Sequence, residues 1–470
     1  MTKYHSTLSR RDFLKALGLG GAGLGATAAL GAALPLATAP VRDLDELSAS
    51  PSAVLKRPKW VKEIDKPTIE INWDGMARFD YHYVMWAAGL KNAIGPEQYD
   101  AVLRAGQANI QSWILQNKPG FTLRDYALAN AQNFAACTFM GPKTSPTPES
   151  LNVPRYEGTP EDNARMMRAF MRLHGAETVS FLELDTNTTE KLIYSYDTGV
   201  GENQGPRIDI LDTDQPEDNI AEGYRVLPKK ARYVIVYTTR MADELMKRPL
   251  TQFSQRSHNY MYNLKSLLQG QTQQFLRTLG YMCLGEASPY NALGVAAGFG
   301  VLAGIGESSR VGHIITPEHG LQQRVYKMVT DLPLAPGKPV DFGAFHFCRT
   351  CKKCADYCPS RAITPATEPS WDTGGKTYLQ AGVKGYFWRQ ELCLAYIRTV
   401  NACATCFGVC PYSKRPKDSY SNLFRSSVAS NPSLNRFWRK ADDFFFGAGI
   451  RPKDDIEKFW ELDLPQFGWD

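Results

Sequence analysis

Cys348-Arg349-Thr350-Cys351-Lys352-Lys353-Cys354-Ala355-Asp356-Tyr357-Cys358-Pro359 decides how this chain is read. Two, two and three residues separate its cysteines, and a proline closes the run. A second set follows: Cys393, then Cys403-Ala404-Thr405-Cys406-Phe407-Gly408-Val409-Cys410-Pro411. Eight of the ten cysteines thus lie between 348 and 410, with only Cys137 and Cys283 elsewhere. Disulfides that staple a secreted protein are not packed this way, so the clustering points to thiolate-bound metal.

The first run has the bacterial ferredoxin spacing, in which three cysteines hold one [4Fe–4S] cluster and the fourth reaches a second. The chemistry needs soft anionic ligands on a short, turning loop, and proline after the last cysteine ends the run by removing a backbone donor. The second run departs from the pattern: Val400 stands where a cysteine is expected, and Cys393 is expected to supply that ligand through a longer loop. Crossing the runs assigns Cys348, Cys351, Cys354 and Cys410 to one cluster, and Cys358, Cys393, Cys403 and Cys406 to the other. Two Cys-Pro ends at this spacing disfavour structural zinc. Cys137 and Cys283 read as buried apolar thiols. Two clusters conduct electrons but perform no reaction, and the segment spans only about 345–415.

Outward from this segment, 470 residues are too many for one ordinary domain. At 43% hydrophobic and 22% charged the composition is globular. At the N-terminus, Ser9-Arg10-Arg11-Asp12-Phe13-Leu14-Lys15 precedes 26 uncharged residues rich in Ala and Gly. Weak hydrophobicity behind paired arginines reads as a twin-arginine export signal over residues 1–39, a route that carries folded, cofactor-loaded proteins. That segment holds four basic residues and one acidic, so half of the net charge of +6 belongs to it. The remainder implies neither nucleic acid nor a polybasic lipid patch.

Residues 40–150 read as a wrapping and helical region, 151–344 as an α/β core, 345–415 as the cluster domain, and 416–470 as an aromatic-rich segment packing back on the core. Thr159 before Pro160 is an N-cap, and Ala164, Met167, Phe170, Met171 and His174 share one helical face. Thr178–Leu184 and Tyr233–Tyr237 are strand candidates. A helix over 262–279 stops at Gly280. Gly298-x-Gly300 follows small residues with a helical pattern, not a strand, so it is no dinucleotide fingerprint. The seven glycines of 285–312 either admit a large flat ligand or allow close packing.

The parts, in order, resemble a family: the corrinoid- and iron–sulfur-dependent reductive dehalogenases of organohalide-respiring bacteria. The resemblance rests on the export signal, Phe275-Leu276-Arg277-x-Leu279-Gly280-Tyr281, Gly304-Ile305-Gly306-Glu307-x-x-Arg310, Ile315-Thr316-Pro317-Glu318-x-Gly320, Val329-Thr330-Asp331-Leu332-Pro333-Leu334, Lys338-Pro339-Val340-Asp341-Phe342-Gly343 and both cysteine sets. It implies an α/β (α+β) corrinoid-binding core with an inserted ferredoxin-like 2[4Fe–4S] domain. It also implies a cobalamin-type cofactor whose cobalt lacks a lower histidine ligand, and replacement of halogen by hydrogen on an organohalide.

By position in the family pattern, Tyr262 is the implied proton donor, Arg310 its cation and Asn291 a substrate-pocket residue. Gly304, Gly306 and Thr316 are implied corrinoid contacts. Tyr386 and Trp388, in an aromatic segment between the cysteine sets, either face the corrinoid or shield the clusters. The implied partners are a small integral-membrane anchor protein, a membrane electron-donor chain and the twin-arginine translocase, at the outer face of the cytoplasmic membrane. An epoxyqueuosine reductase-like enzyme and a ferredoxin-type electron carrier are the competing classes. The export signal argues against the first and the long core against the second. The sequence does not select the organohalide.

Overall fold

The computed structural model describes residues 57–123, 125, 138–151, 154–198, 204–288, 290–414 and 419–466. The expected export signal and Cys137 lie outside them. In chain order the elements that matter are helix α1 (Pro96–Leu115), α2 (Pro160–Leu173), strand β1 (Val179–Glu183), β2 (Tyr233–Arg240), α3 (Gln252–Leu279), β3 (Cys283–Leu284), α4 (Ala296–Leu302), β4 (Gln323–Thr330), α5 (Ala344–Cys351), α6 (Gln390–Val400), α7 (Thr405–Val409), α8 (Ser419–Ser430) and α9 (Asn435–Phe446).

The central sheet has the order β1-β2-β4-β3. All its ladders are antiparallel, with β2 and β4 paired from Tyr233–Thr330 to Arg240–Gln323. Alternation along the strands gives it two apolar faces. Val179, Phe181, Ile235, Tyr237, Tyr326 and Met328 pack with Ala164, Met167 and Met171 of α2 and Leu268 and Leu276 of α3. Val234, Val236 and Val329 join Phe299, Val301 and Leu302 of α4 on the other face. The core is therefore helix, sheet, helix, the mixed architecture expected from sequence.

Local chemistry sets the ends of these elements. Thr159 caps α2 by accepting from the Asp162 amide at 3.1 Å. Gly280 ends α3 in the left-handed region, at φ 90°. α3 begins ten residues before the predicted start, and α4 begins only at Ala296, because the chain before it turns through Leu293 at φ 62°. Gly298 and Gly300 lie inside α4, against Leu192 and Ile314 side chains, where no dinucleotide turn is possible.

Candidate active site and cluster segment

Tyr262 projects from α3 toward the loop before α4 and the start of β4. The Tyr290 ring meets it edge-on at 5.1 Å. The Arg324 guanidinium, from β4, lies 5.6 Å from the Tyr262 ring centroid. Arg324 makes no ion pair among the described residues, and its Nε is buried without a hydrogen-bond partner. Tyr81, Tyr194 and Tyr326 complete a tyrosine-rich wall. Burial pushes all three phenols up, and proximity to one another or to Tyr262 and Glu286 adds to it, so they stay protonated.

Asn291 sits in the same place. Its Oδ1 accepts from Lys327 Nζ. Lys327 and Lys265 are both fully buried against the fully buried Glu286, at 2.6 and 3.6 Å. Glu286 also accepts from the Ala292 amide at 2.9 Å, and Lys265 donates to the Ser288 carbonyl at 2.5 Å. The loop that carries Asn291 is thus tied to α3 and β4 by buried ionic hydrogen bonds.

Sequence position placed Arg310 with Tyr262, but the structure does not bring them together. Arg310 lies beside the first cysteine run, donating to the carbonyls of Thr364 at 2.8 Å, Ala366 at 2.6 Å and Cys348 at 2.6 Å. Arg324 is the cation at Tyr262. Its signal was legible: Gln323–Thr330 is an apolar strand interrupted by two cations, Arg324 and Lys327. Cations in a buried strand need a reason.

Gly304 and Gly306 have no room for a side chain, because a Cβ would strike the carbonyls of Lys338 and Ile315. Their bareness serves backbone packing. Thr316 Oγ1 accepts from the His319 amide at 3.1 Å within a tight turn. Tyr386 is buried, its hydroxyl donating to the Thr367 carbonyl at 2.9 Å. Trp388 is half-buried, and its indole Nε1 lies 3.3 Å from where a side chain on exposed Gly312 would begin.

Beside Gly312, His313 and also His258 pack on Phe407, at 5.1 and 5.8 Å between ring centroids. Burial and then Arg324 lower both imidazoles to about 3, so both are neutral at physiological pH. Arg324 lies 5.9 Å from the Phe407 ring. Phe407 follows Cys406 in the chain, so the second cysteine set adjoins the Tyr262 pocket.

Cys348, Cys351, Cys354 and Cys410 line one cavity together with Arg310, Phe347 and Tyr412. This is the crossed set deduced from spacing. The remaining four influence one another: Cys358, Cys393 and Cys403 all act on Cys406, and Cys358 and Cys403 on Cys393. Cys393 belongs to helix α6, not to the expected loop, and stands two turns before Val400 on the same helical face. Glu307 accepts from the amides of Phe342, Ala344 and Phe345 at 2.8 to 3.4 Å, capping the helix that carries Cys348 and Cys351.

Burial pushes the Cys348 and Cys393 thiols up to about 12. Buried thiols become thiolates when a metal takes the charge. Among the described residues no three His, Cys, Asp or Glu side chains converge on a point fit for a single ion. Thiols spread around a cavity suit a cluster instead. No disulfide joins the described cysteines.

A helix–sheet–helix core with a tyrosine–arginine pocket, joined to eight clustered thiols, defines an iron–sulfur oxidoreductase. Residues 56–137 and 132–334 match the reductive dehalogenase subunit family, and 347–413 match the 4Fe–4S double cluster binding domain. The chain belongs to the reductive dehalogenase family, enzymes that act on carbon–halogen bonds.

Among its relatives, the chloroethene reductive dehalogenase of Dehalococcoides mccartyi strain VS is 29% identical over all of this chain and 99% of its own length. The tetrachloroethene reductive dehalogenase of Sulfurospirillum multivorans is 32% identical over 52% of this chain and 48% of its own. The solved catabolic reductive dehalogenase NpRdhA shares the fold, with TM-score 0.58 and 17% identity over 93% of this chain. The match spans about half of that larger chain, 54%. An epoxyqueuosine reductase of Bacillus cereus is 33% identical, but over only 24% of this chain.

Proposed function

We propose that this chain replaces a halogen on an organohalide by hydrogen, R–X + 2e⁻ + H⁺ → R–H + X⁻, with Tyr262 as proton donor and Arg324 as its cation. The observation that carries this reading is the half-buried Arg324 over the Tyr262 ring, with its Nε buried and no ion pair among the described residues. A phenol is a weak acid near neutrality. A guanidinium beside it stabilises the phenolate once the proton leaves, without accepting a proton itself.

Family membership and a related solved enzyme described as performing B12-dependent dehalogenation support a corrinoid, which we place beside the Tyr262 and Arg324 pocket. Bound there, the corrinoid would supply a low-valent cobalt that engages the carbon–halogen bond. The residues fit such a ligand: Arg324 Nε is buried without a partner, and His258 and His313 are neutral. Asn291, its oxygen engaged by Lys327, has its amide hydrogens left to orient the substrate. The two clusters would deliver electrons one at a time, the second set through the side on which Phe407 meets Arg324.

The Ser9–Lys15 segment supports export by the twin-arginine route, and the family resemblance supports a site on the outer membrane face, with a small anchor protein and a membrane electron chain. No described helix is long and apolar enough to cross a membrane. Substitution of Tyr262→Phe tests the reading. With iron and corrinoid retained, kcat is expected to fall by about 10²- to 10⁴-fold. Undiminished turnover overturns the assignment.

A further inference from the structure

Arg310 is 1% exposed and carries a full charge, because arginine does not shed its proton inside proteins. Buried charges are ordinarily paired, since an isolated one is costly. Arg310 has no carboxylate partner among the described residues. Its Nη atoms donate to three backbone carbonyls, and its guanidinium stacks 4.1 Å from the Tyr386 ring centroid. These contacts supply dipoles and a quadrupole, but no negative charge. Its Nε–H is buried with no acceptor.

Of the other cations near these thiols, Lys352 is only half-buried and donates to the Thr367 hydroxyl at 2.8 Å, and the rest meet carboxylates. Lys414 pairs with Asp442 at 2.7 Å, Lys353 with Asp442 and Asp443, and Arg439 with Asp356 at 3.0 Å. Arg310 and Lys352 both line the cavity formed by Cys348, Cys351, Cys354 and Cys410, and of the two Arg310 is the buried one.

We infer that Arg310 is the counter-cation of the cluster held by Cys348, Cys351, Cys354 and Cys410, and that it raises that cluster's reduction potential. This rests on the double-cluster reading. A [4Fe–4S] cluster with four thiolates is anionic and gains one further negative charge when it takes an electron. No proton moves and no bond breaks in that step. A fixed positive charge beside it stabilises the reduced form more than the oxidised one. Net charge and hydrogen bonds to sulfur are the protein's usual controls on such potentials, and Arg310 supplies both a charge and an unused donor. It is a positioning residue for electrons, remote from Tyr262.

Potentiometric titration with dithionite, followed by EPR on the full chain, tests this. In Arg310→Gln, the reduced-to-oxidised ratio of one of the two clusters at fixed potential is expected to fall about tenfold. That is about 59 mV for a one-electron couple. The other cluster serves as internal control and should not move. Arg310→Lys, which keeps the charge, should recover more than half of the shift.

Eight irons retained with neither signal moved, or with both moved equally, overturns the inference. Should Arg310→Gln lose iron, Arg310→Lys decides. Eight irons and a near-native potential in the lysine protein support the charge role. Loss of iron there too, or a fall as large as expected for glutamine, reduces Arg310 to a structural tie. Wild-type protein without two clusters would instead fail the underlying double-cluster reading.

Discussion

Two arginines divide the labour at the level of single residues. Arg310, buried, and Arg324, half-buried, both lie against aromatic rings without a carboxylate among the described residues, yet one lines a thiol cavity and the other covers Tyr262. Arg324→Gln should lower kcat by about 10²-fold while changing KM little, because the charge acts on the phenolate that forms during reaction; steady-state kinetics on cofactor-loaded protein checks this. Lys327→Met removes the donor to Asn291 and leaves Glu286 with Lys265 alone, so stability should drop by about 3 kcal/mol in denaturant titration. Sequence position points to Tyr262 and Asn291, which the structure sets in one pocket, and to Arg310 as their cation, which it sets beside the thiols. The glycine-rich segment ending at Arg310 is a local pattern, whereas the approach of Arg324 to Tyr262 depends on how α3 crosses the sheet, which no local pattern reports.

The same distinction holds for elements. The Thr159 cap and the Gly280 stop were legible because each is decided by neighbouring residues, and the set around Cys348 because the spacing within each cysteine run is local even though the crossing is not. The first ten residues of α3 were not. Beside Phe253 and Met261 their buried residues are Gln252, Ser254, Ser257, His258 and Asn259, polar groups that hide the helical period from a reading based on apolar spacing. Cys393 was expected on a loop because the spacing to Cys403 was counted, while the helical period of Gln390–Val400 was overlooked.

Beyond the cysteine segment, Glu244 holds Arg248 at 2.8 Å and Arg451 at 2.7 Å, tying the C-terminal segment to the start of α3. Burial alone would raise the Glu244 carboxyl, but Arg451, Lys247 and Arg248 outweigh it and hold it at about 2. A depressed carboxyl stabilises the fold above its unfolded value, near 4.5, and the contribution is lost as pH falls toward 2. Glu244→Gln should cost about 1–2 kcal/mol at neutral pH after allowance for solvent screening, and should flatten the acid unfolding profile between those limits.

Across the whole molecule, the cysteine segment and the Tyr262 pocket meet where Phe407 lies beside Arg324. Cys348, Cys351, Cys354 and Cys410 surround one cavity, and Cys406 leads through Phe407 to Arg324 and Tyr262. The cysteine spacing foretold the first half of this arrangement. The approach of Arg324 to Tyr262 and Phe407 emerges only when residues far apart in sequence are folded together, which is why that half left no sharp motif.

The central claim is that electrons entering at the thiol clusters leave as a broken carbon–halogen bond. Halide release by anaerobic protein carrying eight irons and one corrinoid, with reduced viologen as donor and a panel of organohalides, tests it most directly. One halide for every two electrons consumed is predicted; viologen oxidation by the fully loaded protein without halide release from any member of the panel would contradict it.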